Sequence, residues 1–190
     1  MSELELYIKT YFGIGQDELS MIASLFQPQS LLKGDFYVRE GAYCNKLSFI
    51  RDGLVRVYAT HHDKEVTQWI GTKGYFITDL SSLLFQTPSR WTIQALSDTT
   101  LYTIDRENYQ RIALLAPKWH ELEKLFIAKC FTILEDRIFS QLSMSAEERY
   151  IQLMEQQADL IQQAPMQYLA SMLGMTPETL SRIRRKYAHK

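Results

Sequence analysis

The sequence predicts an α+β chain in three parts: a small antiparallel β-barrel, one long helix, and a terminal helix-turn-helix. Three observations carry that reading. Between Leu31 and Ile104 short alternating or β-branched runs are punctuated by glycines. From Pro117 to Leu142 apolar residues recur at helical intervals with few breakers. From Leu169 to Lys186 two short helical patterns meet at Gly174, and the second ends in Arg184, Arg185 and Lys186.

The first segment, Leu4 to Phe26, shows helical spacing around a Gly13-Ile14-Gly15 break and predicts one or two short helices. Strands are predicted at Leu47 to Arg51, Leu54 to Ala59, Val66 to Ile70, Trp91 to Leu96 and Leu101 to Ile104. Five of the eight glycines lie among them, as turns of a sandwich or barrel require.

Projected on a helix, Trp119, Leu122, Phe126, Cys130 and Ile133, with Ile127, Phe131, Leu134 and Ile138, cover roughly half the circumference of the long helix. One packing contact needs a stripe of little more than about 100°, so a second partner is expected. The simplest is the same helix of another copy. Trp119, Leu122, Phe126, Cys130 and Ile133 are taken as the dimer contacts. After a break at Ser143 to Ala146, a helix is expected from Glu147 to Gln157, leading through Asp159 to Gln163 into the terminal pair.

In that pair Ala170 allows close approach, Gly174 can turn left-handed, and Leu169, Leu173, Leu180 and Ile183 point to a shared core. Thr176 is placed to cap the last helix, with Pro177 in its first turn. Leu180, Ile183 and Tyr187 then share one side, leaving Glu178, Ser181, Arg182 and Arg185 on the other. Arg182 suits guanine, Glu178 suits a cytosine amine, and Ser181 suits several base edges. Arg184, Arg185 and Lys186 suit phosphates. A cation cluster at a helix C-terminus also offsets the dipole, but that explains neither the turn nor the cap.

Composition supports this division of labour. The 190 residues are 46% hydrophobic, enough for a substantial core, and the net charge is only −1. From Met166 onward there are five Lys or Arg against one acidic residue, so the positive charge sits on the last segment alone. Cys44 and Cys130 form no paired metal spacing, and no apolar run is long enough to span a membrane. Acidic Glu3 and Glu5 stand where a signal peptide is basic. A cytoplasmic protein is expected, without metal, cofactor or membrane partner. His61, His62 and Glu65 form the best cupin-like metal candidate. Adjacent strand residues face opposite ways, however, and Asp63-Lys64 points to a solvated hairpin tip. His120, beside Glu121 and Glu123, reads as a surface histidine. No nucleophile or phosphate-loop motif is present, so an enzyme is not expected.

The order barrel, long apolar helix, helix-turn-helix resembles the CRP/FNR family of bacterial transcription regulators over nearly the whole chain. LLKGDFYVREG at Leu31 to Gly41 and LSFIRDGLVRVY at Leu47 to Tyr58 resemble its opening strands. GYFITDLSSLL at Gly74 to Leu84 and PSRWTIQAL at Pro88 to Leu96 stand in the place of its cyclic-nucleotide phosphate cassette. ETLSR, Glu178 to Arg182, is similar to the recognition-helix Glu-x-x-Ser-Arg of the FNR-like branch. The resemblance implies a cyclic-nucleotide-binding-like jelly roll at 1–116, a dimerisation helix at 117–142 and a DNA-binding domain at 143–190. It implies base reading of TTGA-like half-sites by Glu178, Ser181 and Arg182, and phosphate contacts by Thr176 and Thr179. Two recognition helices of a dimer lie about 34 Å apart on duplex DNA.

It also marks Thr78, Asp79, Leu80, Arg90 and Trp91 as candidate contacts for a small-molecule effector. Members that bind cyclic AMP have Gly-Glu where this chain has Thr78-Asp79, and a small residue where it has Trp91, which counts against that nucleotide. The iron–sulfur cysteines of FNR itself are absent. Only four residues follow Lys186, so no β-hairpin wing is expected. The competing reading is a ligand-binding or protein-interaction module of this fold that has lost DNA binding.

Overall fold

In the computed structural model, which describes residues 1–187, helices α1 (Glu3–Phe12) and α2 (Gln16–Ala23) come first, and Gly13, at φ 67°, ends α1 left-handed. Two four-stranded antiparallel sheets follow. One has the order β1 (Gln27–Leu31), β8 (Thr99–Asp105), β3 (Lys46–Asp52), β6 (Phe76–Ile77); the other has β2 (Phe36–Val38), β7 (Thr92–Ala95), β4 (Val55–His61), β5 (Lys64–Gly71). Ile50, Val55, Ile77, Ile93 and Leu101 are buried together as their common core, each burial worth about 1.5–3 kcal/mol. No alternation marks β1 in the sequence. Its QPQSL runs along a sheet edge, where Pro28 is tolerated and backbone pairing to β8 suffices.

Helix α3 (Leu80–Phe85) interrupts the barrel, and α4 (Arg106–Leu115), capped by Asp105, closes it. Then come α5 (Trp119–Ser143), α6 (Ala146–Gln156), α7 (Ala158–Gln163), α8 (Met166–Met172) and α9 (Pro177–Tyr187). Ser145 caps α6 in a capping box with Glu148. Gln157, at φ −148°, separates α6 from α7. The expected absence of a wing concerns positions beyond Tyr187, outside the described residues.

The apolar arc of α5 divides, and this corrects the dimer contacts expected from the sequence. Trp119 and Phe126 are buried against the chain's own α1, α4 and β6, with Phe12 stacked on Phe126 at 4.4 Å. Leu122 and Cys130 are half-buried on the same core. Trp119 and Phe126 have no surface left for a second copy, and Leu122 and Cys130 only part of theirs. Ile133, one turn on, is exposed. Ile127, Phe131, Leu134, Ile138 and Leu142 are also exposed, and the first four repeat at alternating steps of four, three and four residues. That is the spacing of a two-helix seam.

The terminal helices are seated on the barrel. Their core (Leu160, Leu169, Ala170, Leu180, Ile183) is continuous with Leu54 of the β3–β4 turn and Ile70 of β5. Between Val57 and Tyr58 the register with β5 slips, placing Gln68 as the extra residue of a bulge. Beside it the Thr67 backbone N–H donates to Ser171 Oγ of α8 at 2.9 Å.

Candidate nucleic-acid interface

The turn between α8 and α9 is held from three sides. Gly174 takes φ 65°, as its place in the sequence suggests, and the Met175 N–H returns to the Ala170 carbonyl. Arg149 of α6 donates through Nε to the Leu173 carbonyl and through Nη1 to that of Met144, at 2.8 and 2.6 Å. Gln141 of α5 donates to the Met172 carbonyl. Arg149 and Gln141 carry no motif signal; they matter because α5 and α6 fold back to the turn. The Thr176 hydroxyl accepts from the Thr179 N–H at 3.3 Å and caps α9.

With Leu180 and Ile183 buried, the opposite face of α9 looks outward. Glu178, Arg182, Arg185 and Lys186 are exposed; Thr179, Ser181 and Arg184 are half-buried along its edge. Its own backbone N–H and the Thr176 hydroxyl hold the Glu178 carboxyl below its usual range, so it is an acceptor at neutral pH. Among the described residues, neither Arg182 nor Arg185 has a carboxylate partner; Arg185 reaches only Ser181, at 3.5 Å. Lys186 pairs with Glu147 of α6 at 2.6 Å, which raises its pKa and keeps it cationic. Tyr187 donates to the same carboxylate.

A second device sets where this face lies. The Arg56 guanidinium of β4 is buried between two rings, 4.0 Å from Tyr58 of the barrel and 3.9 Å from Tyr168 of α8. Its Nε donates to Thr67 and its Nη1 to Glu65 at 2.6 Å, so the buried charge is partnered. Nothing in the sequence of β4 announces an inward arginine.

The cassette residues are brought together, but their polar groups turn on one another. Asp79 caps α3 through the Ser82 N–H and accepts from buried Ser89 at 2.8 Å. Thr78 donates to the Lys46 carbonyl. Leu80 packs on the core beside α1. Trp91 leans on the barrel core, and exposed Arg90 lies over its ring at 4.6 Å. At the β4–β5 turn His62 and Asp63 have φ 46° and 59°, a tight hairpin tip, and Glu65 is engaged by Arg56. No group of three or more metal-ligating side chains stands together among the described residues. No helix among them is long and apolar enough to cross a membrane.

Residues 28–114 match the family model of the cyclic nucleotide-binding domain. No curated protein matches the chain. Solved structures do. FixK2 from Bradyrhizobium japonicum is 17% identical over 86% of this chain and 85% of its own, with a TM-score of 0.74. The catabolite activator protein of Thermus thermophilus is 22% identical over 99% and 87%, at 0.59. A CooA mutant from Carboxydothermus hydrogenoformans is 21% identical over 89% and 79%, at 0.65. At such identities the likeness is one of fold.

Proposed function

We propose that this chain, which has the fold of the CRP/FNR transcription regulators with a cyclic nucleotide-binding-type barrel, is a homodimeric, sequence-specific DNA-binding regulator of the cytoplasm. The observation that carries this is the outward face of α9. A rigidly capped helix, fixed at both ends by α5 and α6, holds Glu178, Ser181 and Arg182 toward solvent with no internal ion pair on the arginine. Buried or surface-neutralised charges need no such support; a surface that reads a duplex does.

In this reading Glu178, Ser181 and Arg182 meet base edges of a TTGA-like half-site. Thr176, Thr179, Arg184, Arg185 and Lys186 meet the backbone. The dimer forms through Ile127, Phe131, Leu134 and Ile138, with Ile133 at its margin. Domain limits follow as 1–116, 117–142 and 143–190. The cassette does not take cyclic AMP, because Asp79 is already engaged with Ser82 and Ser89 and Trp91 stands where a small residue is needed. The chain regulates and does not catalyse.

Sequencing of duplexes selected by the purified protein, with and without nucleotides, gives the site. On that site Arg182→Ala loses about 1–3 kcal/mol of base discrimination, while Arg185→Ala weakens all sequences alike and flattens the salt slope by about one. Unchanged binding in both variants ends the assignment. An absence of salt-dependent duplex affinity supports the module that has lost DNA binding.

A further inference from the structure

The second half of α5 does not lie flat on the barrel. Between it, β5, α6 and the α8 turn is a cleft of about 840 Å³ whose lining surface is mainly apolar and which shares Leu134 and Ile138 with the edge of the proposed seam. Into it projects Arg137, with its guanidinium carbon 3.4 Å over the Trp69 ring. Stacking occupies a face of the guanidinium and leaves its N–H edge free. Among the described residues no carboxylate lies within ion-pair reach of Arg137 and none of its N–H groups has a protein acceptor. Adjacent Asp136 also lines the cleft but does not pair with it. Burial pushes the Arg137 pKa down to about 10, so it stays charged at neutral pH while paying for desolvation.

The contrast with Arg56 is direct. That guanidinium is buried between two rings, and both a hydroxyl and a carboxylate complete it, whereas Arg137 is half-buried over one ring. On the wall near Arg137, Gln157 donates to the Tyr75 hydroxyl, and its own Oε1 is buried with no donor among the described residues. A half-buried cation and a buried acceptor both stand without partners beside a roomy apolar cleft.

We propose that this cleft is a binding site for an amphipathic small-molecule anion. Its carboxylate, sulfonate or phosphate is held in the fork of Arg137, and a flat or acyl body lies along Trp69, Ile133 and Leu153. The charge of Arg137 favours such an occupant over a second copy's apolar side chains, which leave the guanidinium uncompensated. A bound molecule touches the barrel, α5 and the residues of the α8 turn together. Occupancy therefore biases where α9 is held. Binding stands apart from the DNA reading; only this regulatory consequence rests on it.

Fluorescence titration of the full chain without DNA tests the site, using anilinonaphthalene sulfonate as the anionic probe and phenylnaphthylamine as its uncharged counterpart. The anionic dye saturates at one per chain, and decanoate displaces it while decanol at the same concentration does not. Arg137→Gln weakens the anionic dye about tenfold or more, as loss of a charge-assisted pair implies, and the neutral dye by less than about twofold. Equal loss of both dyes, or displacement by decanol as well as decanoate, overturns the proposal. So does anionic-dye binding that is confined to the monomeric Phe131→Glu variant, which assigns the cleft to a second copy. The competition arm uses the unaltered protein and holds whether or not Arg137→Gln folds.

Discussion

Trp119 and Phe126, in the first half of α5, are 2% and 1% exposed, whereas Phe131 and Leu142, in the second, are 59% and 82% exposed. Both pairs belong to one continuous helix and are equally apolar in the sequence. The first pair meets α1 and α4, which fold over it and complete an aromatic cluster with Phe12 and Tyr109. The second pair has no such cover from the chain's own helices. Burial thus depends on what the rest of the chain places alongside, and an exposed apolar stripe marks where the chain has run out of its own partners.

The sharpest way to break this comparison is to delete one residue from each half. Phe126→Ala removes a packed ring and costs about 3–5 kcal/mol of unfolding free energy, read by urea denaturation at fixed protein concentration. A loss below about 1 kcal/mol shows that the first half is not core. Phe131→Glu acts in the opposite register. It raises the dimer dissociation constant at least about a hundredfold, equivalent to some 2.7 kcal/mol, measured by analytical ultracentrifugation. It leaves the unfolding of the monomer within about 0.5 kcal/mol of the parent. A dimer that survives the change moves the interface off this stripe.

The cassette and α9 form a second pair of the same kind. Asp79 is 4% exposed with its carboxylate oxygens satisfied internally, whereas Arg182 is exposed and its N–H donors have no acceptor among the described residues. Asp79→Ala removes a helix cap and a buried hydrogen bond and costs about 1–2 kcal/mol of stability. It changes the calorimetric response to added cyclic AMP not at all. A stability loss near zero together with altered nucleotide binding makes Asp79 a ligand contact instead.

Gly174→Ala sharpens the point on the smallest scale. A methyl group there stands 2.7 Å from Gln141 Oε1, and φ 65° disfavours any side chain. The cost is about 1 kcal/mol from conformation alone, with affinity for duplex DNA falling while barrel stability holds.

Much of the architecture was legible because periodicity reports which face of an element is apolar. The helix-turn-helix was read from Ala170, Gly174, Thr176 and the Leu180 and Ile183 pair, all local signals with local consequences. β1 escaped because its polar residues give an edge strand no pattern, whereas the end of α6 falls at Gln157, where the sequence placed it. Arg56 and Arg137 look alike in the sequence as lone arginines. Only the strand bulge, the docking of α8 and the angle of α5 make one a finished clamp and the other an open fork.

The sequence by itself determined that a barrel, a long helix and a helix-turn-helix occur in this order, since each rests on spacing within a few residues. Tertiary structure alone decided which apolar residues of α5 are core, which polar groups of the cassette are already satisfied, and which cation lacks a partner. Those outcomes depend on contacts between residues far apart in the chain, and a side chain's burial and charge compensation are properties of its neighbours in space.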